Sequence, residues 1–236
     1  MRNADEIEVR PFSNRQEYEL TLDHFYDTDA DFLHGMGVDR LKLPPKNQWL
    51  DALLADHEKP DGQRDRFYLV WICRGERIGH SSINKIVLGV EASIHLHMWN
   101  AQLRKAGLGT EFVRKSAGLY FQRFNLKKLI CEPFAENPAP NRALETLGFT
   151  FVRRYVTTPG PISFEQQVNR YEILRGALWA PRSEVGSQKS EVRGQKLEAG
   201  SWKPEAGSRK SEVGSRKSEV SGRTTSKRER LARPRL

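Results

Sequence analysis

Two stretches of this chain place reactive side chains at informative spacings. In Ala92-Ser-Ile-His-Leu-His-Met-Trp99 the residues alternate, so Ser93, His95, His97 and Trp99 share one strand face and Ile94, Leu96 and Met98 the other. Imidazole titrates near neutral pH, and two imidazoles on one face can move a proton at a reacting group. Central strands also hold histidines for packing alone. The second stretch follows at once, in Arg104-Lys105-Ala106-Gly107-Leu108-Gly109. A strand, a turn with two glycines and then a long helix is a geometry that cradles phosphate. Glycine lets the backbone approach closely, and the first helical N–H groups are unpaired and carry the positive end of the dipole. Such glycines also occur as structural punctuation. A dinucleotide fingerprint would need a third glycine three residues after Gly109, and none stands there. Glu132, closing the next strand-like run, is a further proton-transfer candidate.

The elements that must position these residues can be read along the chain. Ile7–Phe12 reads as a first strand, and Asn14–Tyr26 and Lys46–His57 have helical spacing with a polar, turn-rich stretch between them. Arg66–Cys73 and Arg77–Ile83 read as a hairpin about Arg74-Gly75-Glu76, and Ala92–Trp99 as the next strand. A helix over Gly109–Phe124 leads to a strand at Leu126–Cys131. A shorter helix, Pro140–Leu147, ends at Gly148, and Phe149–Thr157 and Val168–Leu174 close the pattern. The class is α+β, with one strand–helix–strand crossover among antiparallel pairs.

Arg104-x-x-Gly107-x-Gly109 fits the Gln/Arg-x-x-Gly-x-Gly/Ala motif of the GNAT superfamily of N-acetyltransferases. Asn137-Pro-Ala-Pro-Asn-Arg-Ala-Leu-Glu-Thr-Leu-Gly148-Phe149 resembles the Asn-x-Ala-Ser…Leu-Gly-Phe segment of the branch that acetylates ribosomal-protein N-termini. The order of elements agrees from about Ile7 to Leu174. The resemblance implies a mixed, mostly antiparallel central sheet flanked by helices, with a splayed strand pair at the cofactor site. It implies acetyl-CoA as co-substrate, no metal, and direct transfer to a primary amine in a ternary complex; that amine is a protein N-terminus or a small molecule. On this chain the pyrophosphate loop falls on Arg104, Lys105, Ala106, Gly107, Leu108 and Gly109, and the pantetheine arm along Met98 and Trp99. Asn137 falls near that arm. By spacing from Arg104, the N–H that polarises the thioester carbonyl falls at His97.

Three positions depart from the family pattern. Ser93 stands where some relatives carry a Glu base, Leu144 where many carry a Tyr acid, and Pro140 where a Ser is usual. His95 becomes the first candidate for the base, with His97 and Glu132 behind it. The stretch around His24 and Asp31–His34 falls where the family's substrate-side helices sit, while Phe67, Trp49 and Trp71 read as core. The rival reading is a non-catalytic acyl-CoA-binding or partner-recruiting module.

Composition supports a single folded domain over residues 1–178, which the resemblance makes the N-acetyltransferase domain. The chain has 236 residues and a net charge of +9, but the part from Ala180 on holds 15 Lys and Arg against 7 Asp and Glu. The preceding residues are therefore near neutral and hold every Phe and Tyr, enough for a proper core. From Ser183 the chain repeats every seven residues, as in Ser183-Glu-Val-Gly-Ser-Gln-Lys189, through to about 223. One small apolar residue per unit, set among Gly and Ser, cannot build a coiled-coil seam, so 179–236 is expected to be a disordered basic tail. A Glu in every repeat and almost no aromatic residues argue against nucleic acid as its partner. The longest apolar run, Phe67–Cys73, is far too short for a membrane span, and the first residues show no secretory signal. Two separate cysteines suggest neither disulfides nor a metal site, so a reduced, cytoplasmic monomer or homodimer is expected.

Overall fold

The computed structural model describes residues 7–99 and 108–179. Arg104, Lys105, Ala106 and Gly107, and the tail from residue 180, lie outside the described residues. Seven strands form one sheet in the order β1-β2-β3-β4-β5-β7-β6. They are β1 (Ile7–Pro11), β2 (Arg66–Cys73), β3 (Glu76–Val87), β4 (Glu91–Met98), β5 (Lys128–Cys131), β6 (Thr150–Thr157) and β7 (Gln166–Leu174). Only β4 and β5 run parallel, joined by the crossover helix α4; every other neighbouring pair is antiparallel. This is the mixed, mostly antiparallel sheet that the sequence led us to expect.

Helices α1 (Arg15–Tyr26), α2 (Ala30–Gly35) and α3 (Lys46–His57) precede β2; α4 (Leu108–Arg123) and α5 (Pro138–Thr146) follow β4 and β5. Strand β2 is buried on both faces, which is why it reads as an unbroken apolar run. Its Phe67, Leu69 and Trp71 join Phe112, Tyr120 and Phe121 of α4 in the larger core. Its Tyr68 and Val70 join Tyr18 and Leu22 of α1 and Leu50 and Leu53 of α3 in a second core. The expected core roles of Phe67 and Trp71 follow from this. The Trp71 indole stacks on Phe112 at 5.3 Å and donates to Ser116 Oγ at 2.9 Å.

Position within the sheet is fixed by a few polar anchors. Glu17, fully buried in α1, accepts from Arg10 at 2.7 Å, Arg77 at 3.0 Å and the Ser13 amide at 2.8 Å, tying α1 to β1 and β3. Asn14 caps α1 by accepting from the Glu17 amide. Gly148, at φ +85°, ends α5 as anticipated, since a side chain would strain that left-handed backbone. Two differences stand out. Helix α2, capped by Asp29, occupies the stretch read as turn-rich; at six residues it is too short to show a period. Strand β3 runs on to Val87 through a bulge between Asn84 and Val87, four residues beyond the expected end.

Candidate active site

Strands β4 and β5 part company in the middle of the sheet. Their pairing runs Glu91↔Lys128, Ala92↔Leu129, Ser93↔Ile130 and then stops, yet β4 continues to Met98. Backbone groups alternate in direction along a strand, and two bonds fix the phase here. The Lys128 amide donates to Val90 O at 3.1 Å on the β5 side, and the Trp99 amide to Ile78 O at 2.8 Å on the β3 side. Ile94, Leu96 and Met98 therefore turn their backbone groups toward β5; Ile94 adjoins the last bridged residue, Ser93, so Leu96 is the first of them wholly beyond the pairing. The same phase corrects one expectation: the His97 N–H points at β3, where His97 pairs with His80, and cannot reach into the gap.

The side chains of Ser93, His95, His97 and Trp99 do share one face, the face that α1 and α3 cover. The β3 register adds to it a third imidazole that the sequence reading missed: His80 sits opposite His97. The two rings stack at 4.7 Å and 15°, and His24 of α1 meets His97 edge-on at 5.7 Å. Gly79 permits this closeness, since a Cβ there would come within 2.5 Å of the His97 carbonyl oxygen and 2.9 Å of the Trp71 ring. Burial, reinforced by the neighbouring imidazoles, holds His80 and His97 well below the usual histidine range. Nδ1 of His97 is buried without a hydrogen-bond partner. His95 bonds through Nε2 to Asn84 Oδ1 at 3.1 Å, an arrangement that makes Nε2 the donor and leaves the Nδ1 lone pair open. Its pKa is pushed down to about 4, by burial first and then by Arg66 and Lys85, with Glu132 opposing them.

A cavity of about 510 Å³ opens over this face. Its floor includes Ser93, His95 and His97; Thr21, Phe25 and Trp49 form one side; and Pro161 and Ile162 of the β6–β7 connection form another. Glu132 reaches the cavity but is already engaged, since its Oε1 accepts from Tyr155 Oη at 2.6 Å and from Arg170 Nη1 at 2.9 Å. An ion-paired, doubly hydrogen-bonded carboxylate is a poor proton acceptor, so the geometry assigns Glu132 to holding the end of β5. His34 of α2 stacks on Phe164 at 4.7 Å, which brings the stretch expected on the substrate side against the β6–β7 connection. Among the described residues no cluster of His, Cys, Asp or Glu could hold a metal ion, and no helix is long and apolar enough to cross a membrane.

The sequence that builds this splayed strand pair and its crossover helix is matched by a family model. Residues 8–150 fit the model of the acetyltransferase (GNAT) domain. The chain belongs to the GNAT acetyltransferase family. Solved structures share the fold at low identity. Spermidine N-acetyltransferase from Vibrio cholerae, in complex with CoA and spermine, has a TM-score of 0.61 at 16% identity, over 75% of this chain and 99% of that one. A ribosomal alpha-N-protein acetyltransferase, RimL, in complex with coenzyme A, has a TM-score of 0.59 at 13% identity, over 74% of this chain and 97% of that one. No curated protein matches the chain.

The second GNAT stretch is a node of hydrogen bonds. Asn137 caps α5 by accepting from the Ala139 amide at 3.3 Å, and its Nδ2 donates to Gly35 O at 2.9 Å, tying α5 to the end of α2. Asn141, unremarked in the sequence, is the buried member of the group. It donates to Phe134 O at 3.1 Å and Asn137 O at 2.6 Å and accepts from Asn169 at 2.8 Å. Leu144 is fully buried in the larger core, so the position where many GNAT relatives carry a Tyr acid offers this chain no proton. Of the expected phosphate loop, Leu108 and Gly109 are described, and they form the first turn of α4.

Proposed function

We propose that the chain is a cytoplasmic, acetyl-CoA-dependent N-acetyltransferase that acts on a primary amine by direct transfer in a ternary complex. The observation that carries this reading is the parting of β4 and β5 above a cavity floored by uncharged imidazoles. Acetyl-CoA would supply the thioester, and this chain's groups would do the rest. Backbone groups of Leu96 and Met98 face the gap and are placed to pair with a pantetheine arm as an added strand does. The Leu96 N–H takes the role first given to His97, donating to the carbonyl oxygen as negative charge grows on it. His95 accepts a proton from the amine, directly or through water, at Nδ1, the lone pair left open by its bond to Asn84 and unprotonated at pH 7. His97, with its open Nδ1, borders the same space. Arg104–Gly109 would hold the pyrophosphate at the start of α4. The activity resides in residues 1–178, and the tail with its repeats at 183–223 plays no part in turnover.

Calorimetric titration of acetyl-CoA into the full chain tests this, with Gly107→Glu as control. Micromolar binding that the substitution abolishes supports the reading, and absence of binding by the folded chain overturns it.

A further inference from the structure

The cavity is cationic, an odd setting for an amine acceptor. Arg66, at the start of β2, and Lys85, on β3, both line it. Neither has an ion-pair partner among the described residues, whereas the one lining carboxylate, Glu132, is neutralised by Arg170. The third lining cation, Lys42, is occupied with Ser163 O at 2.8 Å. An ammonium entering such a cavity meets repulsion unless it brings its own negative charge. Backbone strain marks the same spot. Lys85 sits at φ +50°, in the left-handed region that a lysine seldom adopts, inside the bulge between Asn84 and Val87. Bulges of this kind re-aim a side chain, and this one puts Lys85, an exposed residue without an ion-pair partner among the described residues, among those that line the cavity.

We propose that Arg66 and Lys85 form an anion subsite that selects acceptors carrying a carboxylate, specifically peptide N-termini with an acidic side chain at the second or third residue. Spacing chooses the peptide over a free amino acid. Arg66 pairs with Asn84, and Asn84 with Ser93, which lies three residues before Leu96 on β4. At about 3.3 Å per residue along β4 and about 4.8 Å for each of the two strand spacings across, the Arg66 backbone is some 14 Å from the expected point of transfer, and the reach of its side chain leaves about half of that to be bridged. A free amino acid's carboxylate, one carbon from its amine, cannot span that. An acidic side chain one or two residues along a peptide can. The same charge disfavours a polyamine. This inference rests on the acetyltransferase reading of the cavity, but its test does not depend on turnover.

The test compares two peptides differing only in Asp or Asn at the second residue, with spermine as a third ligand. Binding to the full chain is measured by calorimetry with CoA present, and kcat/KM is measured alongside. At least tenfold preference for the Asp peptide is expected, appearing in KM. It should shrink toward unity in Arg66→Gln and in Lys85→Gly; the latter also relieves the strained backbone and so should fold at least as stably. Preference for the Asp peptide without turnover would support the subsite while sinking the enzymatic reading. Equal binding of the two peptides, no binding of either, or stronger binding of spermine overturns the proposal.

Discussion

The indole Nε1 of Trp99 donates to Nδ1 of His80 at 3.0 Å. That bond fixes His80 as the neutral tautomer with its proton on Nε2. With His97 stacked on the same ring, the pair forms a block of uncharged imidazole under the cavity. Protonating either ring would place a charge against the other in a buried setting, so the stack is stable only while neutral.

A pH dependence of stability follows. The folded pKa values of His80, His95 and His97 lie below the unfolded value, so below about pH 6.5 the unfolded chain binds more protons. Their stabilising contribution is complete above that pH and is lost as pH falls, with a slope of about 1.4 kcal/mol per pH unit for each histidine. For His95 the loss ends near its folded value of about 4. The carboxylates Glu17, Asp56 and Glu172, held below their usual range, add their own loss only at lower pH. Thermal melts from pH 7.5 to 5 should show the fall, and His97→Phe should make it shallower. A melting temperature that stays flat over this range would contradict the neutral stack.

Proton transfer distinguishes His95 from Glu132. His95→Ala is expected to lower kcat by about 10²–10³ while leaving acetyl-CoA affinity unchanged. Glu132→Gln keeps an oxygen for Tyr155 and Arg170 and should change kcat by no more than about threefold, as expected of a group worth only an exposed-to-half-buried pairing. Steady-state rates together with calorimetry decide between them; the reverse pattern would return the base to Glu132.

Leu144→Ala should cost about 2–5 kcal/mol in denaturant unfolding, because the fully buried side chain leaves a cavity between α5 and the sheet. Leu144→Tyr should destabilise as well, through overpacking, without raising turnover. A Tyr variant that was both stable and faster would show that the position can still reach the reacting groups.

Ending the chain after Trp179 is expected to leave turnover and melting temperature unchanged. The cut is placed there because Leu178 is buried and its carbonyl accepts from Arg114. Activity assays on the shortened chain check this, and a lost rate would give the repeats a role.

Much of the fold could be read along the chain because it is encoded locally. Phe67–Cys73 announces a strand covered on both sides, Asn14 and Gly148 punctuate helices, and alternation alone puts His95 and His97 on one face. The loop from Arg104 to Gly109 and the Asn137–Phe149 segment were sufficient to point to the family. What alternation cannot give is register. That His80 faces His97, that the His97 amide is turned to β3 while the Leu96 amide is turned to the gap, and that Arg66 and Lys85 line one cavity all depend on pairing between strands distant in sequence. Helix α2 was missed because one and a half turns carry no period, and its place is set by bonds such as Asn137 to Gly35. Glu132 looked free because its partners, Tyr155 and Arg170, arrive from two strands that follow it. Thus the sequence by itself determined the elements, the two faces of β4 and the family, since these depend on neighbours along the chain. The parting of β4 and β5, the protonation of the histidines and the charge of the cavity were decided by tertiary structure, because burial and Coulomb interactions sum over groups that only folding brings together.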